Sequence, residues 1–273
     1  MLAGIIVVMF SFGGTELIGI TAGISFVRFF LYLLPVTALS TVVLIFVMRR
    51  INGISFSRHF DGIPGLPAEA RTYDKKAIWR LMPVLGLVMM GFFLSSLAKI
   101  AIPLIALCGA SAALLIGRAR PDRVLKEVNW LLLLFFAGLF VVIAGAHKAG
   151  VLDVFINRIV LSPSLTGIAS IQVVSVVLSQ LVSNVPLTML VIPMLRNIPG
   201  DTLWIALAAG STLGGNLTVI GAVANIIVVE GAAKEGVRIG FSQFIKVGAL
   251  VTVSTIAIST AVLFLEFSLG WLK

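Results

Sequence analysis

The chain has 273 residues, 59% hydrophobic and only 11% charged, where a typical soluble domain is roughly a quarter charged. So few charges cannot cover a water-facing surface, which excludes a soluble globular protein; a mean hydropathy of +1.15 says the same. The net charge of +9 is concentrated in loops rather than spread over a face, the placement that orients membrane spans, so no nucleic-acid partner is expected.

The first residues, MLAGIIVVMF, have no basic n-region and no Ala-x-Ala site, so they do not read as a signal peptide. GGTELIG follows at 13–19 and SFVRFF at 25–30. A span needs about 20 mostly apolar residues, and Phe29–Val47 meets that, closed by Met48-Arg49-Arg50. Residues 49–80 are polar, with Gly62, Pro64, Gly65 and Pro67 and with Arg58, Arg71, Lys75, Lys76 and Arg80. They are expected to form a basic cytoplasmic linker.

Spans are predicted at 81–97 and 100–117, parted by little more than Lys99. Cys108, the single cysteine, excludes an intrachain disulfide and a multi-thiol metal site; it reads as a small buried hydrophobe. A second basic loop carries Arg118, Arg120, Arg123 and Lys126, and a span over 129–146 ends at His147-Lys148. Placing residues 49–80 in the cytoplasm puts Lys99 outside and returns residues 118–128 to the cytoplasm, so both basic loops satisfy the positive-inside rule.

Residues 164–195 form two apolar arms around Ser183-Asn184-Val185-Pro186. Pro186 removes a backbone donor and biases Val185 away from helix, a structural break. The segment reads as a re-entrant hairpin with a polar tip or as one long helix kinked in mid-membrane. The hairpin places Lys234, Arg238 and Lys246 in the cytoplasm and is preferred on that ground.

The span at 203–229 is interrupted by GGNLTVIG, residues 214–221, with Asn225 beyond. Irregular backbone at membrane depth survives where it is buried in protein or lines a polar cavity, and broken helices in transporters use their freed ends to hold ions. Gly214, Gly215 and Gly221 permit an unwound turn and close backbone approach. Asn216, Thr218 and Asn225 add neutral oxygen ligands and amide donors, which suit a hard cation such as sodium. Close helix packing is the competing explanation for Gly214 and Gly221, and an amide satisfied by a neighbouring helix is the one for Asn184. The last span is 247–265.

GGTELIG with SFVRFF is answered by GGNLTVIG with GFSQFI at 240–245. Phe26 pairs with Phe241 and Phe29 with Phe244, and the early copy is 14 residues shorter between glycines and Phe motif. The following spans run in opposite directions, the pattern of an inverted repeat. Residues 1–48 then form the tail of a first repeat and 81–273 a whole second one. The confident spans carry no carboxylate at mid-depth; Glu16 lies in the doubtful first segment and Glu230 near a helix end. No Ser/His/Asp set or metal cluster appears, so an enzyme is not expected.

Four stretches, EVNWLLLLFFAGLFVVIAGAHKAGVLD (127–153), LVSNVPLTMLVIPM (181–194), GGNLTVIGAVANIIV (214–228) and GISFVRFFLYLLPVT (23–37), resemble the ion transporter superfamily. Its members include divalent-anion and citrate symporters, arsenite-efflux pumps and sodium–proton antiporters. The resemblance implies an all-α polytopic inner-membrane protein and secondary transport of a small inorganic or organic anion by alternating access. A sodium–proton or arsenite-type antiporter is the alternative within the superfamily, and a non-transporting subunit or remnant the one outside it. Residue by residue, the resemblance gives Ser183 and Asn184 as tip ligands and Gly214 to Thr218 as the facing turn. Asn225 lies nearby, and the implied sodium site is at Ser183, Asn184 and Asn216. Na+ or H+ is the implied coupling ion, with no other cofactor. The symporter tip reads Ser-Asn-Thr, and here Val185 replaces the threonine. The implied assembly is a homodimer, or a complex with a partner supplying the missing half of the first repeat.

Overall fold

The computed structural model describes residues 18–19, 21–52, 75–117, 160–234, 236 and 238–272, with scattered positions between 126 and 150. Every regular element among the described residues is an α-helix: α1 Phe26–Asn52, α2 Lys75–Ala98, α3 Ile102–Ile116, α4 Leu165–Val182, α5 Asn184–Leu195, α6 Thr202–Gly214, α7 Val223–Lys234 and α8 Phe241–Ser268. Among the described residues three helices, α1, α4 and α8, are long and apolar enough to cross a membrane. The protein is a helical membrane protein. Most of the expected linker, most of GGTELIG, Glu16 and much of the 129–146 span lie outside the described residues.

The chain divides into two units, one of residues 1–24, 28–54 and 136–273, the other of residues 25–27 and 55–135. In the second unit α2 and α3 pack on each other. They are joined by a tight connection in which Lys99 takes φ 53° and Ile100 N–H donates to Ser95 O at 3.1 Å. Pro103 opens α3, where its missing N–H costs no helical bond. No residue of α3 is buried, so Cys108 is exposed. The expectation of a buried thiol fails because α3 has one covered side at most, and Cys108 is off it.

The first unit is built around α6, which packs against α4, α5 and α8. All of its residues except Thr212 are buried. Its stripe of small residues lets the neighbours close in. A Cβ on Gly210 would come within 2.9 Å of Gln172 Cα, and one on Gly214 within 2.9 Å of Val176 Cα. Small residues at the contact are how apolar helices associate where lipid is as greasy as leucine.

Hydrogen bonds across the helices add direction to this packing. Gln172, fully buried in α4, donates from Nε2 to Ser259 Oγ at 2.8 Å and accepts from Thr260 Oγ1 at 2.6 Å, tying α4 to α8. Ser164 caps α4, its Oγ accepting from Gly167 N–H at 3.1 Å, a satisfied first-turn donor. The last helix is longer at both ends than the 247–265 span, and α1 likewise outruns 29–47. Phe241 and Phe26, paired in the sequence comparison, are each the first residue of their helix.

Candidate functional site

The interrupted span breaks where the glycines lie: α6 stops at Gly214, and α7 starts at Val223. A helix end leaves its last carbonyls without intrahelical partners, and at membrane depth each must find one. The first are met locally by tightened turns, Gly215 N–H to Ser211 O at 3.3 Å, Asn216 N–H to Leu213 O at 3.2 Å and Leu217 N–H to Gly214 O at 3.2 Å.

Side chains supply the rest. Asn225, in the first turn of α7, reaches back so that Nδ2 donates to Gly215 O at 2.7 Å and Thr218 O at 3.0 Å. Thr218 Oγ1 accepts from Gly221 N–H at 3.2 Å and donates to Gln180 Oε1 at 2.9 Å. Gln180, on α4, completes the frame: the two protons of its Nε2 are shared among three acceptors within hydrogen-bond distance, Gly214 O at 3.0 Å, Ser179 Oγ at 2.7 Å and Val176 O at 2.8 Å.

The glycines serve proximity rather than unusual backbone angles, since none of Gly214, Gly215 and Gly221 has positive φ. A Cβ on Gly221 would lie 2.6 Å from Gln180 Oε1 and 2.8 Å from Gly215 O, and one on Gly215 would lie 3.0 Å from Ala222 Cβ. From the other side, the carbonyls of Asn216 and Leu217 press on Gly248 of α8. No hydrogen bond reaches either carbonyl among the described residues, and the Asn216 amide, half-buried, makes none.

The hairpin segment breaks at Ser183 alone, which takes φ 67° and ψ 164° between α4 and α5. Holding a non-glycine residue there costs on the order of 1–3 kcal/mol. Its N–H donates to Ser179 O at 3.0 Å and its O accepts from Leu187 N–H at 3.2 Å. Its Oγ is buried with no hydrogen-bond partner. Asn184 is buried, and its Oδ1 accepts from Val185 N–H at 2.9 Å. Pro186 is the third residue of α5, inside the first turn, where a missing N–H is tolerated; the irregular residue is Ser183.

Of the residues singled out from sequence, Gly214, Gly215, Thr218, Gly221 and Asn225 are thus brought into one braced turn. Asn216 projects from that turn. Ser183 follows the last residue of α4, four residues after Ser179. Gln180, which the sequence reading passed over, ties α4, three residues before the Ser183 break, to the turn. Its signal was available: a polar amide in an apolar membrane run, eight residues after Gln172, where polar groups at depth are rare and purposeful.

No side chain in this constellation is charged, so any ion here would meet dipoles rather than a counter-charge. Among the described residues no group of three His, Cys, Asp or Glu could hold a metal ion. Glu230 is exposed on α7. Asp201 precedes α6, at the end of that helix away from the turn. Burial pushes it above the usual carboxylate range, and Arg28 draws it back.

The sequence pattern of the citrate transporters matches residues 1–210. The chain belongs to this citrate transporter family. The family match takes in Gln180, Ser183 and Asn184 and ends ahead of Gly214. An uncharacterized transporter of Mycobacterium tuberculosis is 31% identical over 263 residues, covering 90% of this chain and 60% of that relative. A putative transporter arsB of Dictyostelium discoideum is 32% identical over 194 residues, 68% of this chain and 34% of its own length. The P protein of Sus scrofa is 32% identical over 230 residues, 77% and 27% respectively. No solved structure matches the chain. This member of the citrate transporter family therefore spans 60% of the length of its mycobacterial relative.

Proposed function

We propose that the protein is a cation-coupled secondary transporter of a small anion, with citrate the first candidate, working by alternating access in the cell inner membrane. The observation that carries this is the unwound 215–222 segment. It is an irregular stretch between two apolar helices, framed by neutral amides and hydroxyls, with open polar groups left over at Asn216 and, on the adjoining break, a buried free hydroxyl at Ser183. Unwound membrane backbone of this kind binds ions through its freed carbonyls and N–H groups.

In this reading α4 and α5 are the arms of a re-entrant hairpin, and α6–turn–α7 is the broken helix facing its tip. Ser183, Asn184 and Asn216 contact the solute or a coupling Na+, or H+ takes the coupling role. Thr218, Gly221 and Asn225 hold the turn's shape. The functional assembly is a homodimer, or a complex with the portion of the fold that relatives carry beyond the matched length.

Uptake of labelled citrate by vesicles holding the native full-length protein tests this. Asn216→Ala and Asn184→Ala should each lower uptake at least about tenfold, the scale of one or two lost hydrogen bonds to an ionic ligand, with membrane insertion intact. Parental uptake in both variants would sink the site assignment. Citrate leaving in exchange for an incoming proton or sodium would instead make the protein an antiporter.

A further inference from the structure

We propose that Gln180 is a positioning residue for the transported anion: it touches no solute, and its amide fixes the shape of the turn from which Asn216 projects. The inference rests on the transport reading above and adds the residue that ties α4 to the turn.

A glutamine is specifically suited to this place. Its amide must donate and accept at once, giving protons to Gly214 O at 3.0 Å and Ser179 Oγ at 2.7 Å while accepting from Thr218 Oγ1 at 2.9 Å. The bond to Gly214 O grips the last residue of α6, and the bond from Thr218 Oγ1 grips the middle of the turn. The start and the middle of the unwound segment are thereby referred to one side chain on α4. Gly221 leaves the room for it, since any Cβ there would lie 2.6 Å from Gln180 Oε1.

The opposite wall is as close. Asn216 O and Leu217 O lie against Gly248 of α8, so a turn released by Gln180 cannot simply slide toward that helix. It must change shape, carrying Asn216 with it. In a packed, low-dielectric setting, small errors in the placing of a dipole cost binding directly.

Gln180→Glu is the sharp test, because it keeps size and shape while replacing the amide donors with a charged acceptor. A carboxylate still accepts from Thr218 but repels Gly214 O. Citrate uptake is measured in vesicles holding the native full-length protein or the variant. The citrate concentration for half-maximal uptake should rise about tenfold, as for one lost hydrogen bond, while the maximal rate per inserted molecule stays within about twofold, the mark of weakened binding rather than slowed turnover.

Acid gives a second readout. α4, α5, α6 and the turn carry no titratable carboxylate, lysine or histidine, and those of α7 and α8 are Glu230, Lys234, Lys246 and Glu266. Protonating the introduced acid restores one donor, so KM of the variant should fall back toward that of the parent as pH drops, measured against the parent's own profile. Thr218→Val, which introduces no charge, should raise KM with no such recovery. If Gln180→Glu is not recovered from the membrane, Thr218→Val should produce the same rise in KM by removing the other partner. An unchanged KM, or a lost maximal rate at unchanged KM, overturns this inference alone. A parent protein that takes up no citrate overturns the transport reading, and this inference falls with it.

Discussion

Helices α3 and α6 are near equals in length, 15 and 13 residues, and both are almost wholly apolar. Yet α3 has no buried residue, while α6 has only Thr212 outside the core. Leu104, Leu107 and Leu115 stand out from α3 at 52%, 66% and 80% exposure. Hydrophobicity therefore does not distinguish these two environments, because a bilayer and a protein core accept the same side chains. What separates the helices is the company of their small residues. Gly210 and Gly214 of α6 lie against the backbone of α4, whose Gln172 and Gln180 bond onward to α8 and to the turn. Helix α2, which packs on α3, carries no asparagine or glutamine.

The comparison can be broken with one substitution made in both units. Gly210→Ala should be the most damaging, destabilising the protein by about 1–3 kcal/mol because its methyl meets the α4 backbone, which has nowhere to go. Thermal unfolding in detergent would read this as a lower midpoint. Gln172→Leu comes next. It removes two bonds to α8 but leaves Thr260 Oγ1 its bond to Ile256 O at 2.9 Å, so a loss of about 1 kcal/mol is expected. Gly86→Ala is the smallest, and of opposite sign. Nothing lies within 4 Å of a Cβ there, and alanine is the better helix former by up to about 1 kcal/mol. A destabilising Gly86→Ala, or a neutral Gly210→Ala, would show that the two units do not differ as described.

Much of the helical layout was legible in the sequence, because a span's length and apolar run are set by bilayer thickness and need no tertiary knowledge. The stretches 81–97 and 100–117 are helical, as α2 and α3, though neither is among the three helices long and apolar enough to cross a membrane, and the turn between α6 and α7 falls on the glycines that pointed to it. Two things were not legible. The first was which polar residues spend their bonds on the fold: Thr218 and Asn225 looked like ligands, but their hydrogen bonds go to Gln180, Gly215 and the turn itself. Partners far apart in sequence, such as Gln180 and Thr218, leave no local trace. The second was the seat of the hairpin's irregularity. Proline advertises a break, but at the third position of a helix it costs little, and Ser183 carries the unusual backbone angle instead.

The account centres on the turn as the place where solute binds, and thiol labelling reaches that claim most directly. In a Cys108→Ser background, Asn216→Cys is exposed to a water-soluble thiol reagent in vesicles that still take up citrate at high concentration. Citrate present during labelling should slow modification in proportion to its occupancy of the site. Labelling at the same rate with and without saturating citrate, while uptake continues, would mean that the solute binds elsewhere.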